Sequence, residues 1–301
     1  MSVFDFIPAD VRARLKDLRL HARRISSGQG IGQHASRSRG AGMEFAQYRA
    51  YEPGDEPRQI DWKLYARSDK FFVRESERDS PLNVWVIIDA TASMAQSDAA
   101  KPSWTRLQAA KSLAACVFEL ALKQGDRFGL IAVNDKGLTI VNAGYGLRHR
   151  DQCLLALTSL KAEGVWPEES QCRPIWERIS ANALVLMLSD DFDEGAVNLA
   201  ERLSVARRDV LNIQILTVEE RDFPFTGGYR FRDAESGAEL VTDAKDSRDE
   251  FIFKFSKARK ELAARLATCG ITHMEYVLDQ PIDSPLRQLF VQGKARFQES
   301  V

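Results

Sequence analysis

The chain has 301 residues, of which 44% are hydrophobic and 28% charged, a composition typical of a globular protein with a full apolar core. The 42 lysines and arginines balance the 43 aspartates and glutamates, so the net charge of −1 gives no overall attraction to nucleic acid or to an anionic membrane. Because the sequence has neither a membrane-length apolar run nor a signal peptide, and its four cysteines and four histidines lack metal-ligand spacing, we expect a cytoplasmic protein with reduced thiols and no membrane span.

The first forty residues are basic, with eight arginines and lysines against three aspartates. Their apolar side chains recur at helical spacing, which predicts an amphipathic helix containing Val11, Leu15, Leu18, Ala22 and Ile25. Asp10 is expected to cap its start, and the sequence SSGQGIG to end it. We expect this helix and its linker, residues 1–35, to dock on the rest of the protein. A nucleic-acid-binding arm is the alternative, but no aromatic residues alternate with the basic ones to stack on bases.

Residues 36–80 form a second segment, which mixes aromatic side chains with arginines and aspartates. Pro53 and Gly54 fit the central positions of a type II turn, and the sequence KFFVRES predicts a strand. Such a mixture is typical of packed aromatic rings edged by ion pairs, so this segment is not expected to be a free linker.

From residue 81 onward, strands and helices alternate. The predicted strands are NVWVIID, DRFGLIAV, GLTIVNA, ALVLML, VLNIQILTV and THMEYVL, with an inserted hairpin at YRFRDAESGAELVT. Helices are expected around 107–121, 147–160, 172–181, 194–207 and 251–266. Continuous apolar strands alternating with helices predict an α/β fold with a doubly wound, mostly parallel sheet covered by helices on both faces. We assign it to residues 81–279, and a C-terminal tail with a short helix to residues 280–301.

Two of the predicted strands end in an aspartate. Asp89 ends the first and is followed by Thr91 and Ser93, whereas Ser189 and Asp190 end another. Because ligands of open α/β sheets bind beyond the C-terminal ends of the strands, we expect both carboxylates at one sheet edge. Carboxylate and hydroxyl oxygens suit Mg²⁺ or Mn²⁺, and a cation would relieve the repulsion between the two acids. Capping of a helix or turn by the hydroxyls, nucleophilic catalysis and phosphoryl transfer are the alternatives.

The pattern Asp89-x-Thr91-x-Ser93, followed about a hundred residues later by Asp190, resembles the von Willebrand factor A domain. The metal-ion-dependent adhesion site of that family uses Asp-x-Ser-x-Ser, a threonine from a second loop and an aspartate from a third. The resemblance implies a Rossmann-like fold and a divalent cation whose open position accepts a carboxylate from another protein. The metal ligands that it implies are Asp89, Thr91, Ser93, Ser170 and Asp190.

The second-loop threonine is missing from this sequence, whose corresponding stretch is GVWPEESQCRPIWERI. Ser170 is assigned to its place because the apolar residues that follow it have the spacing found after the family's threonine. Glu168 or Glu169 is the alternative ligand.

The upstream segment resembles the signature of the bacterial domain of unknown function 58 family. That signature is roughly Arg-x-Tyr-x-Pro-Gly-Asp, then Arg-x-Ile-Asp-Trp, then Ala-Arg before a strand. The matching residues are Arg49, Tyr51, Pro53, Gly54, Asp55, Arg58, Ile60, Asp61, Trp62, Ala66 and Arg67. This resemblance implies a non-enzymatic interaction module that works with a MoxR-type AAA+ ATPase in chaperone-like assembly or a stress system. A metal-dependent hydrolase with Asp191 or Glu168 as general base is the rival interpretation, and nucleic-acid binding through the basic N-terminus is the third.

Overall fold

A computed structural model describes residues 6–22, 45–51, 60–76, 81–232 and 239–290. The chain forms two compact units, one made of Met1–Gly28 and Leu82–Val301 and the other of Gln29–Pro81. The helices are α1 (Ala9–Arg14), α2 (Trp62–Ser68), α3 (Arg106–Gln124), α4 (Leu147–Ser159), α5 (Glu169–Arg178), α6 (Glu194–Val205), α7 (Val218–Asp222) and α8 (Ala244–Thr268). The strands are β1 (Phe45–Ala50), β2 (Phe72–Ser76), β3 (Asn83–Asp89), β4 (Arg127–Asn134), β5 (Gly137–Gly144), β6 (Leu184–Ser189), β7 (Asp209–Leu216), β8 (Gly228–Arg232), β9 (Glu239–Asp243) and β10 (Thr272–Val277).

The larger unit is built on a six-stranded sheet with the order β10-β7-β6-β3-β4-β5. All neighbours are parallel except β5, which pairs antiparallel with β4. From β3 the chain first adds β4 and β5 on one side and then β6, β7 and β10 on the other. The order of the strands therefore reverses between β3 and β6, and this confirms the doubly wound sheet that the sequence predicts. The predicted hairpin is also present, because β8 and β9 pair antiparallel.

Both faces of the sheet are covered, which explains why consecutive residues in the middle of its central strands β3 and β6 are apolar. In β3, Val86 and Ile88 belong to the core cluster that contains the buried side chains of α3, whereas Trp85 and Ile87 belong to the cluster on the opposite face. Thr105 caps the start of α3, where its side chain accepts a hydrogen bond from the N–H of Gln108. The helix ends at Gln124 and is followed by the cap residue Gly125, which has a left-handed φ of 76°. No helix in the described part of the chain combines the length and hydrophobicity needed to cross a bilayer.

The N-terminal helix is shorter than its apolar pattern predicts. α1 ends at Arg14, a 3₁₀ turn follows, and Leu18 is extended. Because alternate residues of an extended chain point the same way, Leu18 and Leu20 are both buried in the core cluster of α3, 4% and 3% exposed. This tertiary packing outweighs the helical periodicity; Ala22 lies outside any helix, and Ile25 lies outside the described residues.

The predicted helix cap is also wrong. Pro8, not Asp10, occupies the N-cap position of α1. Asp10 lies in the first turn and accepts a hydrogen bond from Arg14, which also pairs with the buried Asp283 at 2.8 Å. The side chain of Gln124 at the end of α3 hydrogen-bonds both backbone groups of Leu20. The N-terminal segment is thus docked within the larger unit through apolar, ionic and backbone contacts.

The smaller unit contains the antiparallel pair β1–β2 and the short helix α2. Asp61 of the family signature is the N-cap of α2, where its carboxylate accepts hydrogen bonds from the N–H groups of Lys63 and Leu64. The rings of Tyr65 and Phe71 stack with their centroids 4.4 Å apart, as expected for a segment of packed aromatic residues. The predicted turn at Pro53 and Gly54 lies outside the described residues.

In the C-terminal region, residues 284–290 are helical, and residues 291–301 lie outside the described part of the chain. All four cysteines are free thiols, and three of them are buried. This agrees with the expectation of reduced cysteines.

Candidate functional site

The end of β3 carries a continuous chain of hydrogen-bonded oxygen atoms. Asp89 is 2% exposed, and its Oδ1 accepts hydrogen bonds from the N–H of Thr91 at 2.9 Å and from the hydroxyl of Thr91 at 2.6 Å. The hydroxyl oxygens of Thr91 and Ser93 lie 3.0 Å apart. This proximity arises because Thr91 is extended and the backbone then turns into a 3₁₀ helix at Ala92–Ala95. The two hydroxyls thus lie together in front of one buried carboxylate.

The end of β6 lies beside this motif, at the point where the strand order reverses. The hydroxyl of Ser189 donates to Oδ2 of Asp89 at 2.7 Å and so bridges the two strands. Asp190 is 1% exposed; its Oδ1 accepts from the N–H of Phe192, and its backbone carbonyl accepts from the side chain of Gln214. The predicted meeting of the two strand-end aspartates at one sheet edge therefore occurs.

Arg106, the first residue of α3, joins the two carboxyl-bearing segments, and sequence analysis did not identify it. Its guanidinium is fully buried and donates to Oδ2 of Asp190 at 2.7 Å and to the carbonyl of Ser93 at 3.2 Å. It also forms an ion pair with Glu220, in α7, and lies 5.1 Å from the ring centre of Phe192. A signal was available, because Arg106 continues the apolar stripe of α3 toward its N-terminus, where a charged residue is unexpected.

The electrostatics of the site favour an additional positive charge. Burial, together with the neighbouring charge of Asp190, raises the pKa of Asp89 to about 7. Burial likewise raises the pKa of Asp191 to about 8, although Asn212 donates a hydrogen bond to it at 2.6 Å. Arg106 pairs with two of the acids here, Asp190 and Glu220. The raised pKa values of the other two, Asp89 and Asp191, indicate that these carboxyl groups favour the binding of a further positive charge.

Ser170 is not joined to this cluster. It is exposed in the first turn of α5, and no hydrogen bond links it to the other four predicted ligands in the described residues. The alternative ligands have other contacts: Glu168 is the N-cap of α5 in a reciprocal capping box with Gln171, and Glu169 forms an ion pair with Arg202. The role of Ser170 in metal binding stays a prediction.

An earlier part of the second loop makes the contact that was expected near Ser170. The N–H of Ala92 donates to the carbonyl of Gly164, and the N–H of Glu163 donates to the carbonyl of Ala90, both at 2.9 Å. Gly164 has a left-handed φ of 74°, and a Cβ atom there would lie 1.8 Å from the side chain of Asp135. These contacts use backbone atoms and a glycine, so a search for a liganding side chain could not find them.

The residues present fit a small divalent cation. Clusters of three or more histidine, cysteine or acidic side chains with metal-binding geometry are absent from the described ranges, so a cation here would depend on hydroxyl oxygens. Thr91 and Ser93 supply two such oxygens, and Asp89, whose raised pKa favours the binding of a positive charge, lies next to them. Hard oxygen donors of this kind select Mg²⁺ or Mn²⁺ over softer metals.

A doubly wound sheet that carries an aspartate and two hydroxyls at its switch point defines an α/β protein of the von Willebrand factor A-like type. This chain belongs to the family described as "Protein of unknown function DUF58", which matches residues 47–261. The uncharacterized proteins Rv1480 of Mycobacterium tuberculosis and Mb1516 of Mycobacterium bovis are each 28% identical to it over 264 residues, 86% of this chain and 82% of theirs. Both resemblances that the sequence motifs indicate are thereby confirmed.

Several solved structures are similar to the chain at low sequence identity. BatB from Bacteroides thetaiotaomicron is 16% identical with a TM-score of 0.45 and covers 73% of this chain and 100% of its own. An aerotolerance-related membrane protein from Bacteroides fragilis is 15% identical with a TM-score of 0.44, covering 70% and 97%. The SpRpn10 VWA domain is 14% identical with a TM-score of 0.40, covering 69% and 94%. Because these TM-scores lie below 0.5, the fold assignment rests on the strand order and the strand-end residues.

Proposed function

We propose that this protein is a non-enzymatic interaction module that holds Mg²⁺ or Mn²⁺ at the ends of β3 and β6 and uses the ion to bind a carboxylate of another protein. The supporting observation is the chain of oxygen donors from Ser189 through Asp89 and Thr91 to Ser93, in which the raised pKa of Asp89 favours the binding of a positive charge. When bound, a divalent cation would supply the electrophilic centre that a partner's carboxylate requires.

The residues of the proposed metal site would have different roles. Thr91 and Ser93 offer neutral oxygens, which would leave most of the charge of an ion available to an external ligand. Asp89 orients Thr91 through two hydrogen bonds and supplies negative charge, and Asp190 supplies a second carboxylate from the neighbouring strand. Ser170, which is exposed in the first turn of α5, is retained in the proposal as a further oxygen donor.

The rim of the site offers an apolar contact for a partner. Phe192 directly follows the two acids at the end of β6, and 51% of its surface is exposed even though one face lies against Arg106. An exposed aromatic ring beside a charged centre is typical of protein interfaces, in which aromatic residues are enriched. We expect the acidic residue of the partner to enter beside this ring.

The proposed partner is a MoxR-type AAA+ ATPase, which is the partner that the resemblance of the upstream segment implies. The rival interpretations gain less support from the structure. Of the two candidate general bases, Asp191 accepts a hydrogen bond from Asn212 and Glu168 caps α5. In the basic N-terminal segment, the side chain of Arg14 forms an ion pair with the buried Asp283, so it is not positioned to bind the phosphates of a nucleic acid.

Biolayer interferometry with the purified MoxR-type ATPase of the same organism tests this proposal. Binding should require Mg²⁺ or Mn²⁺, should be reversed by EDTA, and should fall at least tenfold in Asp89→Ala. The matched control, Asp151→Ala, removes an exposed acid on α4 and should bind like the wild type. Equal binding with and without EDTA, or by Asp89→Ala, would refute metal-dependent recognition of this partner.

A further inference from the structure

We propose that Arg106 is a built-in cation that competes with the divalent ion for Asp190 and thereby sets the metal affinity of the site. This inference rests on the proposed metal site and goes beyond it, because it identifies a residue outside the metal-binding motif that controls occupancy. Arg106 lies on α3, whereas the motif residues lie at the ends of β3 and β6.

The position of the guanidinium supports competition. Arg106 contacts both halves of the predicted site, since its Nη1 lies 2.7 Å from the carboxylate of Asp190 and 3.2 Å from the carbonyl of Ser93. Both partners of the ion pair are almost completely buried, at 0% and 1% exposure. A divalent ion that used Asp190 fully would have to share this carboxylate with a desolvated positive charge.

The second ion pair of Arg106 makes an exchange feasible. A buried charge that loses its partner is costly, so an arginine held by Asp190 alone could not release it easily. Glu220 provides another carboxylate, and this contact involves Nη2, not the Nη1 that binds Asp190. The ring of Phe192 lies against the guanidinium as well. Arg106 can therefore give up Asp190 to a metal ion and still keep a counter-charge.

The guanidinium is also incompletely hydrogen-bonded where it lies. Its Nε is buried and has no hydrogen-bond partner among the described residues. An arginine whose only role was structural would be expected to have its donors satisfied, because a buried unpaired donor is costly. The unpaired Nε is consistent with a side chain that occupies one of two alternative arrangements.

Isothermal titration of Mn²⁺ into the metal-free full-length protein tests the competition. Arg106→Gln removes the positive charge and should bind Mn²⁺ at least tenfold more tightly than the wild type. Arg106→Lys keeps the charge and should restore an affinity within about threefold of the wild-type value. Glu119→Gln, on the same helix but paired with Arg150, is a matched control that should leave Mn²⁺ affinity unchanged. Circular dichroism establishes that each variant is folded.

The outcomes separate this inference from the proposed function. Tighter binding by Arg106→Gln supports competition, even if the wild type binds no Mn²⁺ at all, in which case metal-dependent recognition by the natural protein is refuted. Measurable wild-type binding that Arg106→Gln leaves unchanged or weakens refutes competition alone. If neither protein binds Mn²⁺, both proposals are wrong.

A second variant keeps the test decisive if Arg106→Gln does not fold. Because Arg106 already compensates Asp190, Asp190→Asn should weaken Mn²⁺ binding by less than about fivefold, whereas Asp89→Asn should abolish it. An equal loss of Mn²⁺ binding in Asp190→Asn and Asp89→Asn would show that Asp190 is free to ligate the ion in full, and competition by Arg106 would be refuted.

Discussion

At the scale of single residues, the site is held together by hydroxyls that serve a buried carboxylate. Both carboxylate oxygens of Asp89 accept hydrogen bonds, one from Thr91 and the other from Ser189. These bonds stabilise the ionised form, but burial and the charge of Asp190 outweigh them, so the pKa of Asp89 rises to about 7. These hydrogen bonds and the neighbouring charge therefore set the pKa of Asp89 in the absence of a metal ion.

A pair of substitutions at Thr91 tests this dependence. Thr91→Val keeps the shape of the side chain but removes the hydroxyl that donates to Asp89 at 2.6 Å, and it should lower the free energy of unfolding by about 1–3 kcal/mol. Thr91→Ser keeps the hydroxyl and should lose clearly less. Urea unfolding of metal-free protein, followed by circular dichroism, measures both. A loss in Thr91→Ser as large as that in Thr91→Val, or larger, would mean that packing of the methyl group stabilises this turn at least as much as the hydrogen bond does.

The residues of the site differ in how well the sequence could predict them. Asp89, Thr91 and Ser93 are alternate positions at and just after the end of one strand, so their proximity follows from local spacing. Arg106 and Glu220 come from two different helices and meet only through the tertiary fold. The only local indication of such a pair in the sequence is the charged Arg106 on the apolar face of α3.

At the scale of elements, the short helix α7 and the loop after β3 brace each other. Asp98 accepts a hydrogen bond from the N–H of Val218 at 2.7 Å, and Glu219 accepts one from the N–H of Ala99 at 2.8 Å. Burial, together with the neighbouring acids Glu219 and Asp279, raises the pKa of Asp98 to about 6. The brace also places α7, and with it Glu220, next to Arg106.

The raised pKa of Asp98 gives a pH-dependent prediction. The folded state binds this proton more tightly than the unfolded state, so the contribution of Asp98 to stability is greatest below its unfolded pKa of about 4 and declines as the pH rises to about 6. Asp98→Asn cannot ionise, and its side-chain oxygen can still accept from Val218. The free energy of unfolding of the variant, relative to that of wild type, should therefore increase when the pH is raised from 4 to 7.5.

Urea unfolding at the two pH values measures this gain. Asp151→Asn, an exposed position on α4, serves as the control and should show the same difference from wild type at both. A stability difference for Asp98→Asn that does not change with pH would contradict the raised pKa.

The N-terminal segment shows where periodicity fails at this scale. Five apolar residues at helical spacing predicted one continuous helix, but α1 stops at Arg14. The extended stretch that follows buries Leu18 and Leu20 and lets the backbone of Leu20 pair with Gln124. Packing against α3 outweighs the local helical preference, and the surface of α3 is not encoded in the segment itself.

At the scale of the whole molecule, the alternation of apolar strands and helices was enough to predict the doubly wound sheet, because only both-sided burial explains strands such as LVLMLS. The same reasoning placed Asp89 and Asp190 at one edge. It could not identify the loop at residues 163–165 as the one that contacts the motif, because that loop is held by backbone hydrogen bonds and by a left-handed glycine. Ser170 was chosen because the apolar residues that follow it have the spacing found after the family's threonine, and such spacing does not report backbone contacts.

The central claim is that the end of β3 binds a divalent cation, and anomalous diffraction from crystals soaked in millimolar Mn²⁺ tests it most directly. The account predicts an anomalous peak in contact with the hydroxyl oxygens of Thr91 and Ser93, and no peak there in crystals of Asp89→Ala. Absence of a peak beside Thr91 and Ser93 in the wild type, with these hydroxyls still bonded to Asp89, would contradict it.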